Sequence, residues 1–317
     1  MTVHSATAAR LHVDHDGNGE PLIRFEFGSA STDPRRVPCD HLAGPSTESW
    51  YAGEINERAD TCGAAWAHGE HYACCALTVD EVDGDIEGAA ANAYQRLLTC
   101  VRPSAHPYLI RIWNYFGAIN QGDDDQERYR RFCVGRARAV DGLFNDPPPA
   151  ATAIGTGTDV ARVQLIALCA RAPATALENP RQTPAWRYPR DYGPVPPGFS
   201  RGALLDSDTS EPRLLVSGTA SIVGHVSQHV GDAAAQLRES LANLAALLDE
   251  GQRHSARRFE FANCETLRVY LREPDDIAMA RAVIAGSGLP AERVLYLRGD
   301  VCRRELDVEV EGVFGGR

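Results

Sequence analysis

The residues best equipped for chemistry in this chain are its arginines and a run of acids near the C-terminus. Every one of the 32 lysine-or-arginine positions is arginine. A Schiff-base lysine, a pyridoxal-phosphate anchor and a P-loop lysine are therefore excluded. Guanidinium groups grip planar carboxylates through two parallel hydrogen bonds, so an anionic carboxylate is the natural ligand. The acids are Glu305, Asp307, Glu309 and Glu311, alternating with Leu306, Val308 and Val310. By pattern alone such a strand has one wet, acidic face. An acid withdrawn from that face into a dry pocket would keep its proton near neutral pH and could donate it.

Other patterns lead away from familiar sites. His225 and His229 have the spacing of a helical metal pair, yet no glutamate follows His225 and no third ligand is evident, so no metal is expected. Gly155-Thr156-Gly157 resembles the start of a dinucleotide loop, but Val160 stands at the third glycine position and a strand follows. A G-x-S-x-G elbow is absent. The nine cysteines (Cys39, Cys62, Cys74, Cys75, Cys100, Cys133, Cys169, Cys264, Cys302) show no C-x-x-C spacing and read mostly as small core residues. Asp123-Asp124-Asp125 precedes a helix, where acids suit the helix dipole.

The elements that would position these groups are legible in outline. With 317 residues, 44% hydrophobic and 24% charged, the chain reads as a globular protein of two domains. A net charge of −11 argues against a general nucleic-acid binder. Met1 to Asp16 lacks a signal-peptide core and no stretch is long and apolar enough to span a bilayer, so a cytoplasmic protein without membrane partners is expected.

Strands are expected at Tyr72–Val79, Leu109–Tyr115 and Val160–Cys169, with helices over Ile86–Val101 and Glu127–Leu143 between them. The second half repeats the order. Strands fall at Leu214–Thr219 and Thr266–Arg272, then at Arg293–Arg298 and Glu305–Val313. Helices run from Gly231 to Leu248 and from Ile277 to Ala285. Each repeat implies an α+β sandwich with helices on one face of a sheet. Domains are expected at 1–175 and 176–317. The segment Asn179–Gly202 between the repeats, rich in Pro, Arg and Tyr, is long enough to suggest a functional loop.

The stretch from Gly231 through Pro290-Ala291-Glu292-Arg293 to Asp307-Val308-Glu309-Val310-Glu311-Gly312 resembles the RidA (YjgF-like, chorismate-mutase-like) fold, whose last strand carries V-E-x-E. The whole chain resembles more specifically the chorismatases, which are two tandem RidA-like units, each a mixed sheet with helices on one face. The strings that carry the resemblance are Tyr129-Arg130-Arg131-Phe132-Cys133-Val134-Gly135-Arg136, Asn179-Pro180-Arg181-Gln182-Thr183-Pro184-Ala185-Trp186-Arg187-Tyr188-Pro189, Ser200-Arg201-Gly202, Ser217-Gly218-Thr219-Ala220-Ser221 and Val301-Cys302 to Glu311. They span roughly residues 70 to 315, in the order expected of the family.

The resemblance implies an enzyme that cleaves the enolpyruvyl ether of chorismate to pyruvate and 3-hydroxybenzoate, with 4-hydroxybenzoate as a possible second product, and needs no cofactor. It makes Glu309 the proton donor, and Cys302 and Gly218 the residues that shape the product. Arg136, Arg187 and Arg201, with Tyr129 and Tyr188, would hold the two carboxylates. Within the loop, Arg181 and Arg190 compete with Arg187. Aligning the repeats puts Gln164 under Glu309, and Ala151 or Thr152 near the place of Arg293, so the first unit would lack its own catalytic carboxylate. The chorismate ligand is the partner expected, in a monomer or small homo-oligomer. Three rival readings stand beside this one: an imine deaminase using Arg293 with Glu309, a non-catalytic module binding small carboxylates, and a chorismate hydrolase yielding 3,4-dihydroxycyclohexa-1,5-dienoate.

Overall fold

Helical spacing accounts for four helices in the computed structural model, which describes residues 11–28, 33–61, 63–140, 147–157 and 161–317, and an aspartate caps two of them. Helix α1 (Ile86–Val101) starts where the Asp85 side chain accepts the Gly88 amide at 2.9 Å, and it buries Ile86, Ala90, Ala93, Leu97 and Val101. Helix α2 (Arg128–Ala139) lies against it. A Cβ at Gly135 would run into the Glu87 carbonyl, so glycine permits this close approach. The expected continuation of α2 to Leu143 falls outside the described residues. Helix α3 (Ala233–Arg253) is capped by Asp232 and buries Leu237, Leu241, Leu244 and Leu248. Helix α4 (Ile277–Ala285) ends at the Gly286-Ser287-Gly288 turn. No helix among the described residues is long and apolar enough to cross a membrane.

Strands β1 (His12–Asp14), β2 (Ile23–Glu26) and β4 (Thr47–Tyr51) form a small sheet, while β3 (His41–Ala43) leaves it for the edge of a larger one. The first large sheet comprises β5 (Glu57–Thr61), β6 (Ala64–His68), β7 (Tyr72–Asp80), β8 (Tyr108–Gly117), β9 (Ala150–Thr156) and β10 (Arg162–Ala170) in the order β5-β6-β7-β10-β8-β9. The second comprises β11 (Thr175–Leu177), β12 (Gly202–Leu205), β13 (Arg213–Ala220), β16 (Cys264–Leu271), β17 (Val294–Arg298), β18 (Val308–Gly315) and β3, ordered β11-β12-β13-β18-β16-β17-β3. Strands β14 (Ile222–Val223) and β15 (Val226–Ser227) make a separate hairpin. The pairs β8–β9 and β16–β17 are parallel and all other pairs antiparallel. Both large sheets are thus mixed, and the architecture is α+β.

The helices cover one face of each sheet, and the opposite faces turn toward each other. On β10, Val163, Leu165, Ala167 and Cys169 pack with α1 and α2, while Ile166, Leu168 and Ala170 join a core shared with Leu215, Tyr270, Leu295 and Val313 of the second sheet. Strand β18 alternates likewise, with Val308, Val310 and Phe314 packed on α3.

This layering corrects the pattern-based reading of the C-terminal acids. The face that looked wet is the face turned to the other sheet, and Glu309 and Glu311 are 5% and 2% exposed. Glu305 and Asp307 lie before the strand, in a turn held by Ser227 Oγ donating to Glu305 (2.7 Å) and by Gln236 accepting the Asp307 amide (2.7 Å). Three further features were not expected from the sequence: the N-terminal sheet, the Ala/Gly-rich strand β9, and a buried charge network between the sheets. In that network Arg268 grips Glu48 through two bonds (2.7 and 3.0 Å) and reaches Glu311 at 3.1 Å, while Arg111 engages Glu311 from β8.

Candidate active site

A cavity of about 390 Å³ opens where the two sheets meet. Helix α2 contributes Tyr129, Phe132, Cys133 and Arg136, and β9 contributes Ala151 to Ala153. From the other side come Gly218 on β13, Glu309 on β18 and the turn Cys302–Glu305. The segment after β11 covers the opening with Tyr188, Tyr192 and Phe199, and brings Arg201 to the wall.

Glu309 projects into this cavity because Gly218 leaves room for it. The pairing of β13 with β18 slips between Val216 and Thr219, a bulge at Ser217 and Gly218. Ser217 Oγ pins the bulge, donating to the Ser200 carbonyl (2.6 Å) and accepting the Ala151 amide (3.0 Å). The Gly218 amide donates to Thr152 Oγ at 2.8 Å. A Cβ on Gly218 would overlap Oε1 of Glu309, so any other residue here must displace the carboxyl.

Burial is the main influence on the Glu309 carboxyl; it and the neighbouring Glu311 charge push the group up to about 8, against the pull of Arg111 and Arg201. The acid is therefore mostly protonated at neutral pH. Burial also raises the Cys302 thiol to about 12, assisted by Glu309, which keeps it a neutral thiol rather than a nucleophile. Tyr129 is held well above the ordinary phenol range, chiefly by burial.

Two guanidinium groups are fixed in the wall and almost wholly buried. Arg201 donates to the Tyr188 hydroxyl (2.7 Å) and the Thr183 carbonyl (3.1 Å), with Phe199 stacked at 5.1 Å. Arg136, on the inner face of α2, lies 5.4 Å over Tyr94, whose hydroxyl donates to Asn114 at 2.9 Å. The cavity thus gathers Glu309, Cys302, Gly218, Tyr129, Arg136, Tyr188 and Arg201. Arg187 is not among its lining residues; it is exposed and stacks on Trp186 at 4.4 Å. Arg293 is also elsewhere, paired with Asp14 at 3.0 Å, so an imine-deaminase pair with Glu309 is not formed.

Sequence reasoning missed Arg303, which lines the cavity and spans three elements. It donates to His225 O (2.9 Å) and Ser227 Oγ (3.0 Å), and stacks under Tyr192 at 4.1 Å. Its position directly after Cys302 was the available signal. No group of three or more potential metal ligands occurs among the described residues.

The closing strands of the two sheets correspond in register. Glu309 pairs with Tyr270 on β16, and Gln164 with Tyr115 on β8. The two tyrosine hydroxyls meet at 3.2 Å. The side-chain amide of Gln164 donates to the carbonyls of Pro34 (2.9 Å) and Arg36 (2.8 Å).

A family profile described as chorismatase FkbO/Hyg5-like, N-terminal, matches residues 48–169. A chorismatase from Streptomyces rapamycinicus is 38% identical over 272 residues, covering 84% of this chain and 81% of the relative. A 3-hydroxybenzoate synthase from Streptomyces hygroscopicus is 33% identical over 280 residues, covering 86% and 82%. A chorismatase crystal structure superposes with a TM-score of 0.81 at 30% identity, covering 96% of this chain and 97% of that one. With that likeness across nearly the whole length, and a buried acid facing fixed guanidinium groups, the chain belongs to the chorismatase family.

Proposed function

We propose that this protein cleaves chorismate into pyruvate and 3-hydroxybenzoate. Atoms balance without added water, since the two products together contain the atoms of chorismate. The observation that carries the reading is the Glu309 carboxyl, buried in a cavity that also presents Arg136 and Arg201; that burial pushes it up to about 8. An enol ether is cleaved after a proton reaches its terminal methylene carbon, which leaves an oxocarbenium ion and a labile C–O bond. A carboxyl that keeps its proton at neutral pH, yet releases it readily, suits that step.

The substrate has two carboxylates. Arg136 and Arg201 supply buried cations for them, and the hydroxyls of Tyr129 and Tyr188 add hydrogen bonds; each charge-assisted bond contributes about 1.5–3 kcal/mol. Arg187, exposed on Trp186, has no part in this grip. Gly218 lets the acid approach, and Cys302 offers a compact, neutral wall. We assign these two the shaping of the product, favouring rearrangement to an aromatic ring over capture of water, which would yield a non-aromatic diene diol.

The test is incubation with chorismate, following pyruvate release and resolving aromatic product by chromatography. Glu309→Gln should lower kcat by at least about a thousandfold while chorismate still binds. Because the acid form is the active one, activity should fall as pH rises through about 8. Full turnover by the Gln variant would rule out the proton donor.

A further inference from the structure

Strand β18 sends two carboxylates into the same buried layer, and the surroundings treat them oppositely. Glu311 receives four donors: Thr152 Oγ (2.5 Å) and Arg111 on Oε2, Tyr270 (2.6 Å) and Arg268 (3.1 Å) on Oε1. Glu309 has no side-chain hydrogen bond or ion pair within the limits met by these contacts among the described residues. The Glu311 charge, held among these donors, is one of the influences that raise the Glu309 carboxyl beside it. Thr152 joins the two environments. Its hydroxyl accepts the Gly218 amide and donates to Glu311, so the bulge against which the Glu309 carboxyl rests is tied to the Glu311 cluster.

We propose that Glu311 and Thr152 are positioning residues for the acid on Glu309: Glu311 occupies both inter-sheet arginines so that Glu309 faces the ligand without a cation bound to it, and Thr152 fixes the bulge that admits its carboxyl. This rests on Glu309 being the proton donor. The charged or titratable groups facing Glu309 are Glu311 beside it on β18, Arg111 from β8, Arg201 ahead of β12, Tyr129 from α2 and Cys302 from the preceding turn. Strands β9 and β13 line the cavity with the uncharged Ala151, Thr152, Ala153, Gly218 and Ala220, and Tyr270 of β16 is engaged with Glu311. Removing the Glu311 charge would leave Arg111 facing Glu309 without a carboxylate between them, and both changes favour earlier loss of the proton.

Two sets of variants test this with chorismate as substrate. In Glu311→Gln, the alkaline limb of the kcat/KM profile should move down by about one pH unit or more. Thr152→Val keeps the shape but loses the hydroxyl; kcat should fall about tenfold or more with KM within about twofold, and Thr152→Ser should restore most of it. A merely structural role would lower the amount of folded protein without moving the limb or splitting kcat from KM. A folded Glu311→Gln with an unmoved limb overturns the proposal. So does a Val variant equal to wild type, or a Ser variant no better than Val. Should Glu311→Gln fail to fold, the Val and Ser pair decides. Wild-type protein without turnover would instead refute the proposed function, so the two failures are distinguishable.

Discussion

Glu309 has a consequence for stability as well as for reactivity. Its folded value of about 8 lies above the ordinary 4.5. The folded chain therefore holds a proton that the unfolded chain releases between those values. That contribution is complete below the unfolded value and is lost as pH rises through about 8. Glu309→Gln removes the titration, so its Tm advantage over wild type should grow from about pH 5 to about pH 8 and level off above, reaching about 2 °C or more. Calorimetric scans across that range check it; a difference independent of pH would show that the carboxyl titrates normally. At this scale the motif strings carried most of the residues that line the cavity, Arg187 excepted, whereas periodicity alone misread the acidic face of β18. Alternation marks two faces of a strand but is silent on whether the polar one meets water or a second sheet. Arg187 and Arg303 illustrate the same limit, since one backbone turn decides which guanidinium reaches the cavity.

Among the elements, the segment between β11 and β12 covers the cavity; of its two 3-10 turns, Ala185–Arg187 and Arg190–Tyr192, the second lines it with Asp191 and Tyr192. The second turn is clasped to the opposite rim by Arg190 binding Asp125 through two bonds (2.9 and 2.5 Å). Both side chains are well exposed, so the pair is screened and weak. Arg190→Gln should lower kcat/KM by less than about fivefold and reduce its salt dependence, which kinetics at two ionic strengths measure. A loss of activity as deep as that expected for the Glu309 variant would mean the clasp, rather than the tilted contact of Tyr188 with Tyr192 at 5.3 Å, holds the cover. The long amphipathic helices α1 and α3 were readable because apolar residues recur at helical spacing along both. Strand β9 was not, since Ala150–Thr156 offers small residues whose strand character comes from parallel pairing with β8. Val160, expected to open the strand after it, lies outside the described residues.

At the scale of the molecule, the two sheets are joined through charges as well as apolar side chains. Arg268 binds Glu48 from the N-terminal sheet and Glu311 from β18, and Phe25 stacks on it at 4.4 Å. Trp50 and Thr266 complete the Glu48 carboxylate (2.6 and 2.9 Å). Removing one partner from such a buried set strands the others, so Arg268→Met should destabilise by about 3–5 kcal/mol, measured by urea unfolding. A loss near zero would mean that water enters and solvates Glu48. The repeat of elements followed from order and spacing along the chain, and the mixed sheets from the family resemblance. The way the N-terminal strands close the gap between the sheets did not, because pairings such as Glu48 with Arg268 join positions far apart in sequence.

The backbone carbonyls of Pro34 and Arg36 that occupy the amide of Gln164 also bear on binding stoichiometry. A three-residue stretch of main chain, Pro34 to Arg36, lies on this amide, and the amide stands opposite Tyr115 as Glu309 stands opposite Tyr270. Calorimetric titration of the Glu309→Gln variant with chorismate should therefore saturate at a single equivalent per polypeptide, with no weaker second event; two equivalents would mean that this stretch swings aside.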